Sequence, residues 1–324
     1  LSTDNWSKAG SYNNRANIYL SEEKWELCID EYTKAIEINP ETDYYYTNKG
    51  LAYKGLKNYD LALEHYNKAL EIKENWKTYY KRAKLYELME NFKNAEYDYS
   101  KAIDLDKENP WVHVYRAEFY KKQGEYTLAV KDYDNALILK EYYYWYYKRA
   151  NIKSRNLQQY DLSIKDYNKA LELHSKYSWA YMDRGDAYKS LEKYDLALLD
   201  YTEAIKLNPE KTYFYLKRGN IYQDLENYDK AIEDYTTAIM LDSSYDFAYE
   251  DRIEIYELLE EYDKALSDYT SLIKLDPNSG TYYDRANFYQ YIIKDSFDLA
   301  LKDYAKSIEL STDNWSKAAS YNNR

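Results

Sequence analysis

The chain has 324 residues, with 45 Lys and Arg against 57 Asp and Glu and a formal net charge of -12. It holds only seven Gly and four Pro but 46 Tyr, a balance that excludes collagen-like, Gly/Pro-rich disordered and turn-dense all-β chains. Hydrophobic residues make up 45%, enough for a packed core, while the acid excess argues against a general nucleic-acid or anionic-membrane binder, which needs clustered Lys and Arg. No apolar run approaches the roughly 18 residues that span a bilayer. The single cysteine, Cys28, excludes an intramolecular disulfide framework and a multi-Cys metal site.

Taken in chain order, the sequence reads as nine units starting near residues 9, 43, 76, 110, 143, 178, 212, 246 and 279. A small or aliphatic residue following a basic one recurs at Ala16, Gly50, Ala83, Ala117, Ala150, Gly185, Gly219, Ile253 and Ala286, a mean spacing of about 34 residues. A second small residue follows at Cys28, Ala62, Ala95, Ala129, Ser163, Ala197, Ala231, Ala265 and Ala300. Four residues after each comes a Tyr: Tyr32, Tyr66, Tyr99, Tyr133, Tyr167, Tyr201, Tyr235, Tyr269 and Tyr304. With the first small residue at position 8 of its unit and the second at position 20, that Tyr stands at position 24. A first helix carries Tyr four before its small residue and often three after it, as in Tyr46 and Tyr53, so both fall on one helical face. A second helix starts at pairs such as Tyr59-Asp60 or Tyr194-Asp195 and stops near Asn39-Pro40, Asn208-Pro209 or Asp276-Pro277, where Pro cannot continue it. Small residues let the two backbones approach, and aromatics fill the flanking holes.

The unit Tyr181 to Pro209 carries every one of these marks and resembles the tetratricopeptide repeat family. Local departures are Lys153 in place of a first-helix Tyr, Leu272 and Ser307 in place of a late Ala, and a longer turn around Ile292–Ser296. The resemblance implies an all-α, right-handed superhelical α-solenoid of about nine helix-turn-helix repeats, with a concave groove that binds peptides or partner proteins.

A basic residue precedes every first small residue: Arg15, Lys49, Arg82, Arg116, Arg149, Arg184, Arg218, Arg252 and Arg285. An acid precedes the position-24 Tyr in eight units: Glu31, Asp98, Asp132, Asp166, Asp200, Asp234, Asp268 and Asp303. Antiparallel helices bring these positions together, so partly buried, two-point Arg–Asp pairs are expected, setting register more than adding net stability. The second unit pairs Lys49 with His65 instead. Tyrosines at positions 4, 11 and 24 read as core or inter-repeat packing.

Residues 1–15 and 310–324 are identical except at Gly10 and Ala319, a register of 309 residues. In repeat register Leu1 falls in the last turn of a preceding second helix, and 310–324 begins a further unit. Because an uncovered solenoid end exposes an apolar face, this duplication points to blocks repeated in tandem, or to copies joined head to tail as a filament.

Family groove positions in the first helices hold Tyr44, Tyr80, Trp111, Tyr144, Tyr147, Trp179, Tyr213, Phe247 and Tyr283, candidates for partner contact. The run Tyr142–Tyr147 is aromatic all round, so something should cover it. The family's carboxylate clamp would fall on Asn13, Asn17, Asn48, Lys77 and Lys81, with Asn13 lacking the expected charge and Lys81 replacing an Arg. The triplets Asn5-Trp6-Ser7 and Asn314-Trp315-Ser316 are the N-x-S/T matches, expected on the linker between repeats, and mark Asn5 and Asn314 as candidate glycosylation sites. His65, His113 and His174 lie in separate units, and no P-loop, dinucleotide fingerprint or Ser/His/Asp order occurs. The expectation is therefore a non-enzymatic scaffold with no cofactor, metal, nucleic-acid or membrane partner. It is either part of a long tandem array or filament, acting at a surface or outside the cell, or a soluble cytoplasmic adaptor whose aromatic groove takes a peptide.

Overall fold

Helix and tight turn alternate throughout the computed structural model, which describes residues 3–293 and 296–311; these form eighteen α-helices and no strand. The first helices of the nine pairs are α1 (Thr3–Ser21), α3 (Asp43–Gly55), α5 (Trp76–Leu88), α7 (Pro110–Lys122), α9 (Tyr143–Asn151), α11 (Ser178–Ser190), α13 (Thr212–Asp224), α15 (Asp246–Leu258) and α17 (Ser279–Asn287). Their partners are α2 (Trp25–Ile38), α4 (Tyr59–Ile72), α6 (Phe92–Leu105), α8 (Tyr126–Leu139), α10 (Tyr160–Leu173), α12 (Tyr194–Leu207), α14 (Tyr228–Leu241), α16 (Tyr262–Leu275) and α18 (Phe297–Leu310). The chain divides after Gln158 into two compact units, the first closing with α9 and the second opening with α10.

The turns inside the pairs share one device. Glu23, Lys57, Glu90, Gly124, Gln158, Glu192, Glu226 and Glu260 all take positive φ, between 53° and 80°. The next N–H then returns to a carbonyl five residues back, as Asn58 does to Tyr53 at 2.9 Å and Asn227 to Tyr222 at 2.7 Å. This is a Schellman closure, which satisfies carbonyls that the helix end leaves open.

Extra residues are absorbed locally. The two small residues stand twelve apart in seven pairs, thirteen apart in the fifth (Ala150 and Ser163) and fourteen apart in the ninth (Ala286 and Ala300). In those two pairs the first helix ends in a π-helical turn, Ile152–Asn156 after α9 and Phe288–Ile292 after α17. A π turn holds one more residue than an α turn without breaking the helix. The longer turn noted near Ile292 is thus an insertion, not a weakened repeat, and the fifth pair carries one too, with the substituted Lys153 inside its π turn.

Within each pair that lies inside one unit the position-24 Tyr fills the space between helices; Tyr32, Tyr66, Tyr99, Tyr133, Tyr201, Tyr235 and Tyr304 are buried, Tyr269 is half-buried, and Tyr167 on α10 is buried as well. Gly185 and Gly219 admit the ring so closely that a Cβ would lie 2.6 Å from Tyr201 or Tyr235.

The Arg–Asp pairs form with two-point geometry. In α11 and α12, Arg184 Nε donates to Asp200 Oδ2 at 2.8 Å and its second terminal nitrogen to Oδ1 at 2.6 Å. The same fork joins Arg82 to Asp98, Arg116 to Asp132, Arg218 to Asp234, Arg252 to Asp268 and Arg285 to Asp303, and Arg15 meets Glu31. Each such Arg except Arg15 also donates backwards to position 25 of the preceding pair: Arg82 to Asn67, Arg116 to Ser100, Arg184 to Asn168, Arg218 to Thr202, Arg252 to Thr236 and Arg285 to Thr270. The arginine therefore ties neighbouring repeats together as well as the two helices of its own.

Several expectations change. Most position-4 and position-11 tyrosines are half-buried, and their rings flank the guanidinium: Arg184 lies 5.4 Å from the Tyr181 ring centre and 5.9 Å from that of Tyr188. An Arg three after one Tyr and four before the next faces both on a helix, so cation–π contact accounts for them better than core packing does. His65 does not hydrogen-bond Lys49 among the described residues; it stacks on Tyr53 at 5.2 Å, and burial, helped by Lys49, lowers its pKa to about 4. The aromatic α9 is covered in part by its own chain, since Trp145 is buried against Trp111 and Tyr142. Asn5 lies inside α1, not on a linker.

Candidate interaction surface

Successive first helices present position 2 outward. Tyr44, Trp111 and Tyr144 in the first unit, and Trp179 and Phe247 in the second, keep between 36% and 56% of their surface exposed. Large aromatic rings left in water on a helical face are the kind of area that a partner covers. The other aromatic candidates, Tyr80, Tyr147, Tyr213 and Tyr283, are half-buried. Tyr80 stacks on Tyr115 at 4.1 Å, and Tyr213 lies 6.4 Å from Trp179, so these rings link one first helix to the next. The sequence-level reading missed Tyr115, although its place one turn after Trp111 puts it beside that face.

The clamp candidates are brought together unevenly. Tyr32 hydroxyl donates to Asn17 at 2.6 Å and accepts from Asn48 at 3.1 Å. Lys81 donates to Asn48 at 2.9 Å, and Asn17 to Asn13 at 3.4 Å. Lys77 is exposed and lies over Trp76 at 5.6 Å. Asn17 and Asn48 are thus already engaged with one another through Tyr32.

A second row follows from the buried tyrosines, whose hydroxyls reach positions 9 and 12 of the first helix. Tyr201 donates to Asp186 at 2.7 Å, Tyr235 to Gln223 at 2.7 Å, Tyr269 to Glu257 at 2.8 Å and Tyr133 to Glu118. The Lys at position 6 of the next repeat joins in: Lys217 lies 3.3 Å from Asp186, and Lys148 lies 3.7 Å from Glu118.

Charge separates the two units. Residues 1–158 contain 25 basic and 25 acidic side chains, so the whole net charge of -12 falls on 159–324. Burial, with Lys54 and Lys77 nearby, brings Lys81 down to about 8, whereas burial and Glu254 raise Asp251 to about 6.

Other chemistry is sparse. Burial pushes the Cys28 thiol up to about 11, which makes it a poor nucleophile. No group of three or more His, Cys, Asp or Glu is arranged to hold a metal among the described residues. No helix among them is long and apolar enough to cross a membrane. Asn5 is exposed on α1, and Asn314, with the further unit begun at 310–324, lies outside the described residues from 312 onward.

Comparison with known proteins agrees with this geometry. Sequence models of the tetratricopeptide repeat match residues 7–75, 77–109, 145–177, 178–211 and 213–245, together more than half of the chain. No curated protein sequence matches it significantly. A tetratricopeptide repeat protein from Parabacteroides merdae is similar in structure at TM-score 0.54 and 18% identity, covering 76% of this chain and 98% of that one. The C-terminal part of a TPR repeat-containing protein from Cytophaga hutchinsonii gives TM-score 0.55 at 17% identity, covering 81% and 94%. The pilF protein of Pseudomonas aeruginosa gives 0.51 at 18% identity, covering 64% and 95%. With nine helix pairs, their small-residue contacts and these matches, the chain belongs to the tetratricopeptide repeat family.

Proposed function

We propose that this chain is a non-enzymatic protein-interaction scaffold in which each of the two units takes an extended segment of a partner along its own first-helix face. Exposed aromatic side chains at one repeat position, Tyr44, Trp111, Tyr144, Trp179 and Phe247, carry the reading. Each is fixed by a rigid helix, so covering it gains apolar contact at little entropic cost. Peptides selected from a random library on the intact chain test it. Substitution of Trp111 or Trp179 by Ala should weaken their binding roughly tenfold, the loss of one anchoring aromatic, in variants that circular dichroism shows to remain folded. Selected peptides indifferent to both substitutions would point to another surface.

The identity of residues 1–15 with 310–324 supports a second element of the proposal, a tandem or head-to-tail arrangement of 309-residue blocks. Electron microscopy of the native material should then show particles longer than nine repeats. Compact monomers whose size is independent of concentration would remove this arrangement and leave the binding face.

A further inference from the structure

In two steps between repeats, a lysine at position 6 of one first helix meets the acid at position 9 of the first helix before it. Lys148 lies 3.7 Å from Glu118, and Lys217 lies 3.3 Å from Asp186. At these points the chain itself seats an ammonium group against a carboxylate. Between the eighth and ninth repeats both places hold acids, Glu254 at position 9 and Asp284 at position 6. Position 12 of the eighth repeat is acidic too, Glu257 where the sixth has Lys189.

Together with Glu250 these acids line a cavity of about 250 Å³ between α15, α16 and α17, over the buried Ile253 and Leu272 and the half-buried Tyr269. Glu254 accepts from Gln223 at 3.1 Å and Glu257 from the Tyr269 hydroxyl at 2.8 Å, but none of the four carboxylates pairs with a cation among the described residues. Burial raises the titration of Glu250, Glu257 and Asp284, and neighbouring acids add to it at Glu250 and Glu257. The volume falls below the roughly 300–1,000 Å³ of a pocket for a drug-sized molecule and suits a single side chain. An apolar floor under a charged rim fits a side chain with an apolar stem and a cationic end. A metal ion fits less well, since no group of three or more His, Cys, Asp or Glu is arranged to hold one among the described residues. Phe247, exposed and three residues before Glu250, lies on the same face of α15.

We propose that the cavity between α15 and α17 seats a lysine or arginine side chain of a bound peptide, in the place that Lys148 and Lys217 hold at their own steps. The partner of the second unit is then a basic segment, with an apolar residue near the seated cation to lie on Phe247. Charge complementarity fixes that class: the whole net charge of -12 falls on 159–324, and an acidic or neutral segment would leave the rim uncompensated. The seat deepens the peptide-binding reading of the second unit and rests on it.

Fluorescence anisotropy on the full chain tests the seat with two labelled decapeptides blocked at both ends, one alternating Ala and Lys, the other Ala and Gln. The Lys peptide should bind and the Gln peptide should not. Asp284→Lys supplies the ammonium group from within and should weaken binding of the Lys peptide roughly tenfold or more, the loss of a charge-assisted contact. It should also bring the raised Glu257 titration down, followed by NMR. Asp229→Lys makes the same change of charge at an exposed position outside the cavity lining and should weaken binding far less, because solvent and salt screen it. Glu254→Gln gives a second variant should Asp284→Lys fail to fold, and it too should weaken binding. A Lys peptide that does not bind, or that Asp284→Lys and Asp229→Lys weaken equally, would overturn the seat. Displacement of the peptide by equimolar Ca²⁺ would assign the rim to a metal and overturn it as well. Failure of the Lys peptide while library-selected peptides still depend on Trp179 would overturn the seat alone and retain the peptide-binding face.

Discussion

Arg285 reaches Asp303 across eighteen residues with the fork that joins Arg218 to Asp234 across sixteen, its Nε contact at 2.7 Å against 2.8 Å. The two additional residues of the ninth pair are taken up before α18, partly in the π turn Phe288–Ile292, and the ion pair is undisturbed. The pair, and not the count of residues between its members, marks where the two helices lie against each other.

If so, cutting the fork should cost more than removing an exposed acid. Asp200 is 5% exposed, while Asp229 is exposed in the first turn of α14. Asp200→Ala leaves the half-buried Arg184 without its partner and should destabilise by about 2–3 kcal/mol. Asp229→Ala loses only a favourable interaction with the helix dipole, below about 1 kcal/mol. Urea denaturation of both variants checks this, and equal midpoint shifts would count against the pairing as the structural clasp.

Gly185 and Gly10 offer opposite outcomes for one substitution. At Gly185 a methyl group would lie 2.6 Å from the Tyr201 ring, whereas nothing lies within 4 Å at Gly10. Gly185→Ala should lower stability by about 1–3 kcal/mol through overpacking, even against its gain in helix propensity. Gly10→Ala should raise it by about 0.5–1 kcal/mol, and the duplicated segment already carries Ala319. Thermal melts of the two variants should move in opposite directions.

The αL turns hold removable strain. Glu226 sits at φ 56°, in the place Gly124 takes in the fourth pair. A side chain in that region costs about 1–2 kcal/mol, and the greater freedom of Gly in the unfolded chain offsets part of the relief. Glu226→Gly should therefore stabilise by about 0.5–1 kcal/mol by chemical denaturation. A loss of stability would show that the glutamate side chain has a compensating contact.

His65 gives a pH dependence of defined sign. Its folded pKa is lowered to about 4 by burial, with Lys49 adding to the effect, while an unfolded His titrates near 6.5. Between these values the unfolded chain binds the proton and the folded one does not, so this contribution is complete above about pH 6.5 and lost as pH falls toward 4. After allowance for partial exposure, the loss should be about 1–2 kcal/mol. His65→Phe keeps the ring on Tyr53 and removes the titration. The stability difference between pH 7 and pH 5 should shrink by most of that amount in the variant, and an unchanged difference would rule out His65 as its source.

Much of the molecule was legible in the sequence because a repeat that cannot hide its apolar flank alone must restate the same contacts each time. Nine small-residue pairs, nine buried or half-buried tyrosines and the arginine opposite its acid are periodic for that reason, and periodicity can be counted without coordinates. What the sequence left undecided were contacts between non-equivalent positions. Only the tertiary structure showed that the Arg of a repeat such as Arg184 also reaches back to the preceding repeat, that Tyr181 and Tyr188 flank a guanidinium, and that insertions become π turns. The state of Tyr66 was hidden in the same way. Its sequence looks like that of every other position-24 tyrosine, and only the tertiary structure shows that its hydroxyl, alone in that row, is left unsatisfied by the described residues. Burial fixes which side chains lie inside, but hydrogen bonding depends on distances of a few tenths of an ångström between chain segments that spacing alone cannot supply.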